Sequence, residues 1–208
     1  MQLRLASQLT AEQYVSQQIW KHASLPPCPV HPEGGCGFCW HTPYERRTVP
    51  GAKIARGYCR KGKLTVSLLP DCFASRLPST LQAIEVVVDQ VESHLGSLEE
   101  LAAELRPALG PDDDHIAGAL RWLRRRRKQV AAVLVAVASV MPEKFAGRPL
   151  TLTGFREALG VREVLVALRE VAEAHLATLP PPLGLVPRHS SREQGVRRLQ
   201  QRAGPDPP

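Results

Sequence analysis

Apolar positions along the chain change rhythm near residue 72. Before it they fall in short runs bounded by turn residues; after it they recur at three- and four-residue steps, the spacing of one helix face. Thr10-Ala-Glu-Gln13 is a capping-box pattern, in which the Thr hydroxyl accepts from an orphan amide and the Gln side chain reaches back. It predicts a short helix carrying Tyr14, Val15, Ile19 and Trp20, stopped by Pro26 and Pro27, with Trp20 expected to pack on the cysteine-bearing turns that follow. Three strands are expected at residues 44–49, 52–59 and 64–69. Pro50-Gly51 separates the first two, and the loop Arg60-Lys61-Gly62-Lys63 the last two.

The remainder reads as helices. Ser79-Thr-Leu-Gln82 is a second capping box, opening a helix with Leu81, Ile84, Val88, Val91 and Leu95 on one face and Gly96 at its end. Ser97-Leu-Glu-Glu100 caps the next, which carries Leu98, Leu101, Ala102 and Leu105 until Pro107, Gly110 and Pro111 break it. Asp112, Asp113 and Asp114 stand where carboxylates complement a helix dipole, a sufficient account of three adjacent acids. The longest helix is predicted at 114–141, with Leu120, Leu123, Val130, Leu134 and Val137 on its core face and Arg127 as the polar break. Residues 130–141 are apolar nearly all round, which predicts enclosure by other helices, with Pro142 as the stop. A short helix around Phe155 ends at Gly160, and a last one spans 161–179. From residue 183 the composition turns to Pro, Gly, Ser and Arg, predicting a mobile basic tail whose residues 195–202 become helical on a partner.

Cysteine placement adds chemistry to this outline. All five cysteines lie between residues 28 and 72, and two pairs have metal-ligand spacing: Cys28-x2-His31 and Cys36-x2-Cys39. Cys59 supplies a later ligand, and Gly62 stands where a second knuckle wants Cys or His, so the pattern is a variant zinc ribbon. The first ligand set is Cys28, His31, Cys36 and Cys59; the second replaces His31 by Cys39. Buried free thiols are the plain alternative, and Cys72 is assigned to the core. The predicted fold is α+β, mostly α. A helix at 1–27 packs on a zinc-ribbon-like three-stranded module at 28–72, followed by a helical bundle at 79–179 and a tail at 180–208.

The formal charge of +7 points to a polyanionic partner. Between residues 46 and 63, Arg46, Arg47, Arg56, Arg60 and Lys61 are the candidate phosphate contacts. On the long helix, Arg121, Arg124, Arg125 and Lys128 are the candidates within a block of six cations in eight residues. The odd cysteine number and the lack of a sustained apolar run after Met1 place the chain in a reducing compartment, read as the cytoplasm. No apolar run is long enough to span a bilayer. No phosphate-cradling glycine loop, HExxH pair or GxSxG elbow appears, so neither a small-molecule substrate nor an enzyme is expected.

Residues 98–105 and 116–125, a helix and then Ile116-Ala-Gly-Ala-Leu-Arg-Trp-Leu-Arg-Arg, have the look of a helix-turn-helix with a long turn. Together with Cys28-Pro29, Gly35-Cys36-Gly37, Tyr44-Glu-Arg46, Arg56-Gly-Tyr58-Cys59 and Ser67-Leu-Leu-Pro-Asp71, this stretch resembles the N-terminal zinc-ribbon and helix-turn-helix regions of bacterial insertion-sequence transposases and their uncharacterised relatives. The resemblance covers residues 9–128 and departs at Gly62. It implies a zinc-dependent DNA-recognition part of a mobile-element protein. The three-carboxylate catalytic domain that two-metal phosphoryl chemistry requires is not recognisable in this chain. Two rival readings are a zinc-ribbon adaptor that binds a protein partner or a second copy of itself, and a degenerate mobile-element remnant.

Overall fold

A sheet of four strands, one more than expected, forms the first layer. The computed structural model describes residues 1–105 and 116–185. In it β1 (Gln2–Leu5), β2 (Cys39–Glu45), β3 (Lys53–Cys59) and β4 (Leu64–Pro70) lie in the order β1-β4-β3-β2. β2, β3 and β4 are antiparallel neighbours, whereas β1 joins β4 in parallel, with Leu3 opposite Leu68. A four-residue strand whose partner is more than sixty residues away leaves no local signature. Its Arg4 then forms a two-pronged pair with Asp71, at 2.8 and 2.9 Å. The strand expected at 44–49 lies earlier, because the backbone turns at once after Glu45: Val49 N–H donates to the Arg46 carbonyl at 3.0 Å, and Arg46 N–H to that of Ala52 at 2.8 Å. A bulge between His41 and Tyr44 accommodates Pro43, which has no N–H to offer a ladder.

Among the described residues seven α-helices follow or flank the sheet, so the fold is α+β and mostly α. They are α1 (Ala11–Ser16), α2 (Leu81–Ser93), α3 (Leu98–Leu105), α4 (Ile116–Val140), α5 (Pro142–Phe145), α6 (Leu152–Leu159) and α7 (Val164–Val171). Thr10 and Gln13 form the expected capping box of α1, and Ser97 and Glu100 exchange the bonds of another at α3, at 2.8 and 3.2 Å. At α2 the cap is Thr80, one residue after the expected Ser79. α4 ends at Val140, ahead of Pro142 as expected, and Pro142 then begins α5; at a first helical position its missing N–H costs nothing. Residues 161–179 are not one helix: α7 stops at Val171 and a 3-10 turn, Glu173–His175, takes over. α7 also lacks a cap of its own, and the Glu85 carboxylate from α2 accepts its Val164 and Leu165 amides at 2.9 Å each.

The sheet and the helices share one core. Tyr14, Ile54, Leu69 and Phe73 from the N-terminal half pack into the cluster that holds Leu134, Val137, Phe155 and Leu168. Each such side chain contributes about 1.5–3 kcal/mol by leaving water. Trp20 belongs here as well, 5.6 Å from the Tyr14 ring, rather than on the cysteine turns. A smaller cluster of Val91, Leu101, Ala102, Ala119 and Leu123 joins α2, α3 and α4. On α4 the buried polar residue is Arg126, stacked 5.4 Å from Trp122, while Arg127 is exposed. The apolar end of α4 is not enclosed either: α2 and α5 pack on one side, and Val135 on the other is 49% exposed. No helix among the described residues is long and apolar enough to cross a membrane.

Candidate metal centre and basic face

The turn before β2 and the end of β3 bring four donors together. Cys28, His31, Cys36 and Cys59 each offer one ligand atom, and these atoms all lie within 4.8 Å of one another. His31 Nδ1 is 3.8 Å from Cys28 Sγ and 3.4 Å from Cys59 Sγ. A tetrahedral ion with bonds of about 2.3 Å to sulfur and about 2.0 Å to nitrogen holds neighbouring donors about 3.5–3.8 Å apart. The donors are therefore spaced to hold a metal ion with little rearrangement. Three thiols and an imidazole are soft ligands of the kind that suit zinc.

Its surroundings are local. Phe38 and Leu64 pack against the three buried cysteines. Lys61 N–H donates to the Cys36 carbonyl at 3.1 Å, tying the two ligand-bearing turns together. Gly62 stands where a second knuckle is expected to carry a ligand. Instead its N–H donates to Cys59 Sγ at 3.2 Å, and a Cβ there would lie 3.2 Å from the same sulfur and 3.1 Å from Leu64. The position is filled by close approach, and His31 completes the donor count. Burial alone would push the Cys28 thiol up, but hydrogen bonds from His31 and from the amides of Val30 and His31 bring it down to about 6. Burial and the adjoining Cys28 and Cys59 sulfurs push Cys36 up. Three thiolates cannot crowd together without a cation between them, which is the electrostatic demand that a divalent ion meets.

Cys39, the substitute for His31, is outside this group. It begins β2 opposite Tyr58, and its Sγ lies 3.9 Å from the Tyr58 carbonyl. Cys72 sits in the main core, where burial pushes its thiol up to about 11.

The expected phosphate contacts divide. Arg46 is a correction: it is buried, its guanidinium 5.0 Å from the Phe73 ring and donating to the carbonyls of Ala74 (2.6 Å), Leu77, Pro78 (3.3 Å) and Ser79 (3.0 Å). A cation at Tyr44-Glu-Arg46 looks in sequence like its exposed neighbours; only the loop it meets thirty residues later distinguishes it. Arg47, Arg60 and Lys61 are exposed, the last two on the β3–β4 loop beside the four donors. Arg56 is half-buried, donating from Nε and Nη2 to the Thr42 carbonyl at 2.9 and 2.8 Å. Arg121, Arg124, Arg125 and Lys128 are exposed on α4, and Arg124 meets Glu99 of α3 at 3.1 Å. Of the acids, Asp71 is held by Arg4, and Arg156 bridges Glu85 and Asp89 at 3.0 and 2.7 Å. Asp112 to Asp114, the turn of the expected helix-turn-helix and the tail beyond residue 185 lie outside the described residues.

A scan against family models and searches of curated proteins and of solved structures gave no match to this chain.

Proposed function

We propose that this chain is a zinc-binding, DNA-binding protein, in which the ion ties the β3–β4 loop to the preceding turn and cations on that loop and on α4 contact phosphates. The observation that carries the reading is the donor group of Cys28, His31, Cys36 and Cys59, joined through the Lys61 amide to a loop bearing Arg60, Lys61 and Lys63. Fixing that loop gives three flexible cations a common direction, so less entropy is lost when they meet a polyanion. Exposed Arg121, Arg124, Arg125 and Lys128 form the second contact surface. The bond between Arg124 and Glu99 is solvent-exposed and worth about 1 kcal/mol or less, so a phosphate displaces it readily. The proposed role matches the DNA-recognition part of a transposase without its nuclease.

Two measurements test this. The purified protein should carry one zinc per chain by native mass spectrometry. Its affinity for duplex DNA should fall with salt along a log–log slope of about −3.6, the value for about four neutralised phosphates. A protein that folds without metal, or a flat salt response, rejects the reading.

A further inference from the structure

The two faces of the sheet differ at the end that carries the metal donors. On one face Phe38 and Leu25 lie against Gly57, where an added Cβ would run into the Phe38 ring and come within 2.8 Å of Leu25. The other face holds Arg56 and Tyr58 from β3, with His41 opposite Arg56 on β2 and Thr65 opposite Tyr58 on β4. Next along that face, Ser67 pairs with Arg56. His41 is exposed, while Arg56, Tyr58, Thr65 and Ser67 are each partly open to solvent. The His41 and Tyr58 rings meet edge to face with centroids 5.8 Å apart, and the Arg56 guanidinium lies 5.2 Å from the Tyr44 ring. Tyr44 is anchored in the main core, and the Thr42 carbonyl at the bulge takes two Arg56 bonds, so the guanidinium plane is fixed.

We infer that this face is a stacking platform for unpaired nucleotides, with Tyr58, His41 and Arg56 offering flat surfaces to bases and Arg60, Lys61 and Lys63 taking the backbone. The inference rests on the nucleic-acid reading above and names the form of nucleic acid this part of the molecule takes. Rings and a fixed guanidinium beside a cationic loop suit single strands, whose bases present free π-faces; in a duplex those faces are stacked away. The β4 residues paired with Tyr58 and Arg56, Thr65 and Ser67, carry only short hydroxyl side chains. Charge complementarity favours the same occupant, because Arg60, Lys61 and Lys63 are exposed on the adjoining loop.

The test is fluorescence anisotropy of the full, zinc-loaded chain with an end-labelled single strand and with the duplex of the same sequence. His41→Ala combined with Tyr58→Ala should weaken single-strand binding about tenfold or more, at unchanged zinc content and duplex affinity. Tyr58→Phe should bind like the unaltered protein. Tyr58→Leu, which keeps the bulk and loses the ring, should show the defect if the double variant does not fold. Trp40→Ala, on the Gly57 face, should change nothing. Equal loss on duplex and single strand, no loss from the ring variants, or a defect from Trp40→Ala overturns the inference. So does a concentration-dependent dimer abolished by the same variants, which assigns the face to a second copy. Duplex binding without single-strand binding sinks this inference alone; binding to neither sinks the DNA-binding reading with it.

Discussion

Arg46 and Arg169 reach separate carbonyls of the 70–79 loop and share none. Arg169, fully buried on α7, donates to Pro70 (3.0 Å), Asp71 (3.2 Å) and Phe73 (2.5 Å), and also to Pro182 and Leu183. Arg46 serves Ala74, Leu77, Pro78 and Ser79. The loop has too little regular structure to satisfy its own backbone, so two planar, multi-donor cations satisfy it. Burial pushes Arg169 down to about 10, which leaves it cationic at neutral pH. Replacing either by Ala strands several buried carbonyls. Each substitution should lower unfolding free energy by about 3 kcal/mol or more in a denaturant titration. Lys should rescue neither, since one ammonium cannot fan out to the same acceptors. A variant at Arg46 that weakens DNA binding at unchanged stability would contradict its structural assignment.

The donor geometry separates cysteines that the spacing could not. Ser at Cys28, Cys36 or Cys59, or Ala at His31, should abolish stoichiometric zinc, measured by elemental analysis or native mass spectrometry. Cys39→Ser should retain it, because that sulfur lies outside the donor group. Zinc lost from Cys39→Ser and kept in His31→Ala would restore the rejected ligand set.

Gly62→Ala tests the same site without replacing a ligand. The new methyl meets Leu64 at 3.1 Å and Cys59 Sγ at 3.2 Å, so the loop must yield or the sulfur must move. Zinc affinity in competition with a chelating dye should fall about tenfold or more, in the range of changes to groups that orient ligands. An unchanged affinity would mean the loop gives way freely.

Cys72 sets an alkaline limit. Its folded pKa of about 11 exceeds the ordinary value of 9.0 because burial disfavours the thiolate. Above pH 9 the unfolded chain loses this proton first and binds fewer protons than the folded one, so stability falls as pH rises. Between pH 9 and 10 the Cys72 share of the drop should be about 1 kcal/mol, and Cys72→Ala should lessen the loss by that amount in parallel urea titrations. Tyr14, also pushed up by burial, acts with the same sign at higher pH.

What could be read from the amino-acid order was whatever local spacing encodes. The boxes at Thr10 and Ser97 are complete within four residues, and the helix faces repeat within a turn or two; both appear as expected. Capping of α7 by Glu85, pairing of β1 with β4 and the loop contacts of Arg46 all join segments far apart along the chain, where no local pattern records them. At the donor group, the two-residue spacing pointed to Cys28, His31 and Cys36, and Cys59 entered as the one later cysteine of the strand region. It could not show that Cys39 begins a strand, because Cys36-x2-Cys39 is the same spacing whether or not the second thiol turns back. For α4, counting every third and fourth residue placed Arg127 inward, whereas Arg126 faces the core.

The 70–79 loop receives one of its two cationic holders from a helix a hundred positions downstream. During synthesis the strands emerge long before Arg169 does, so this corner of the sheet stays unsealed until nearly the whole described chain is available. Fragments ending before α7 lack this holder and should accordingly be poor substitutes for the intact protein.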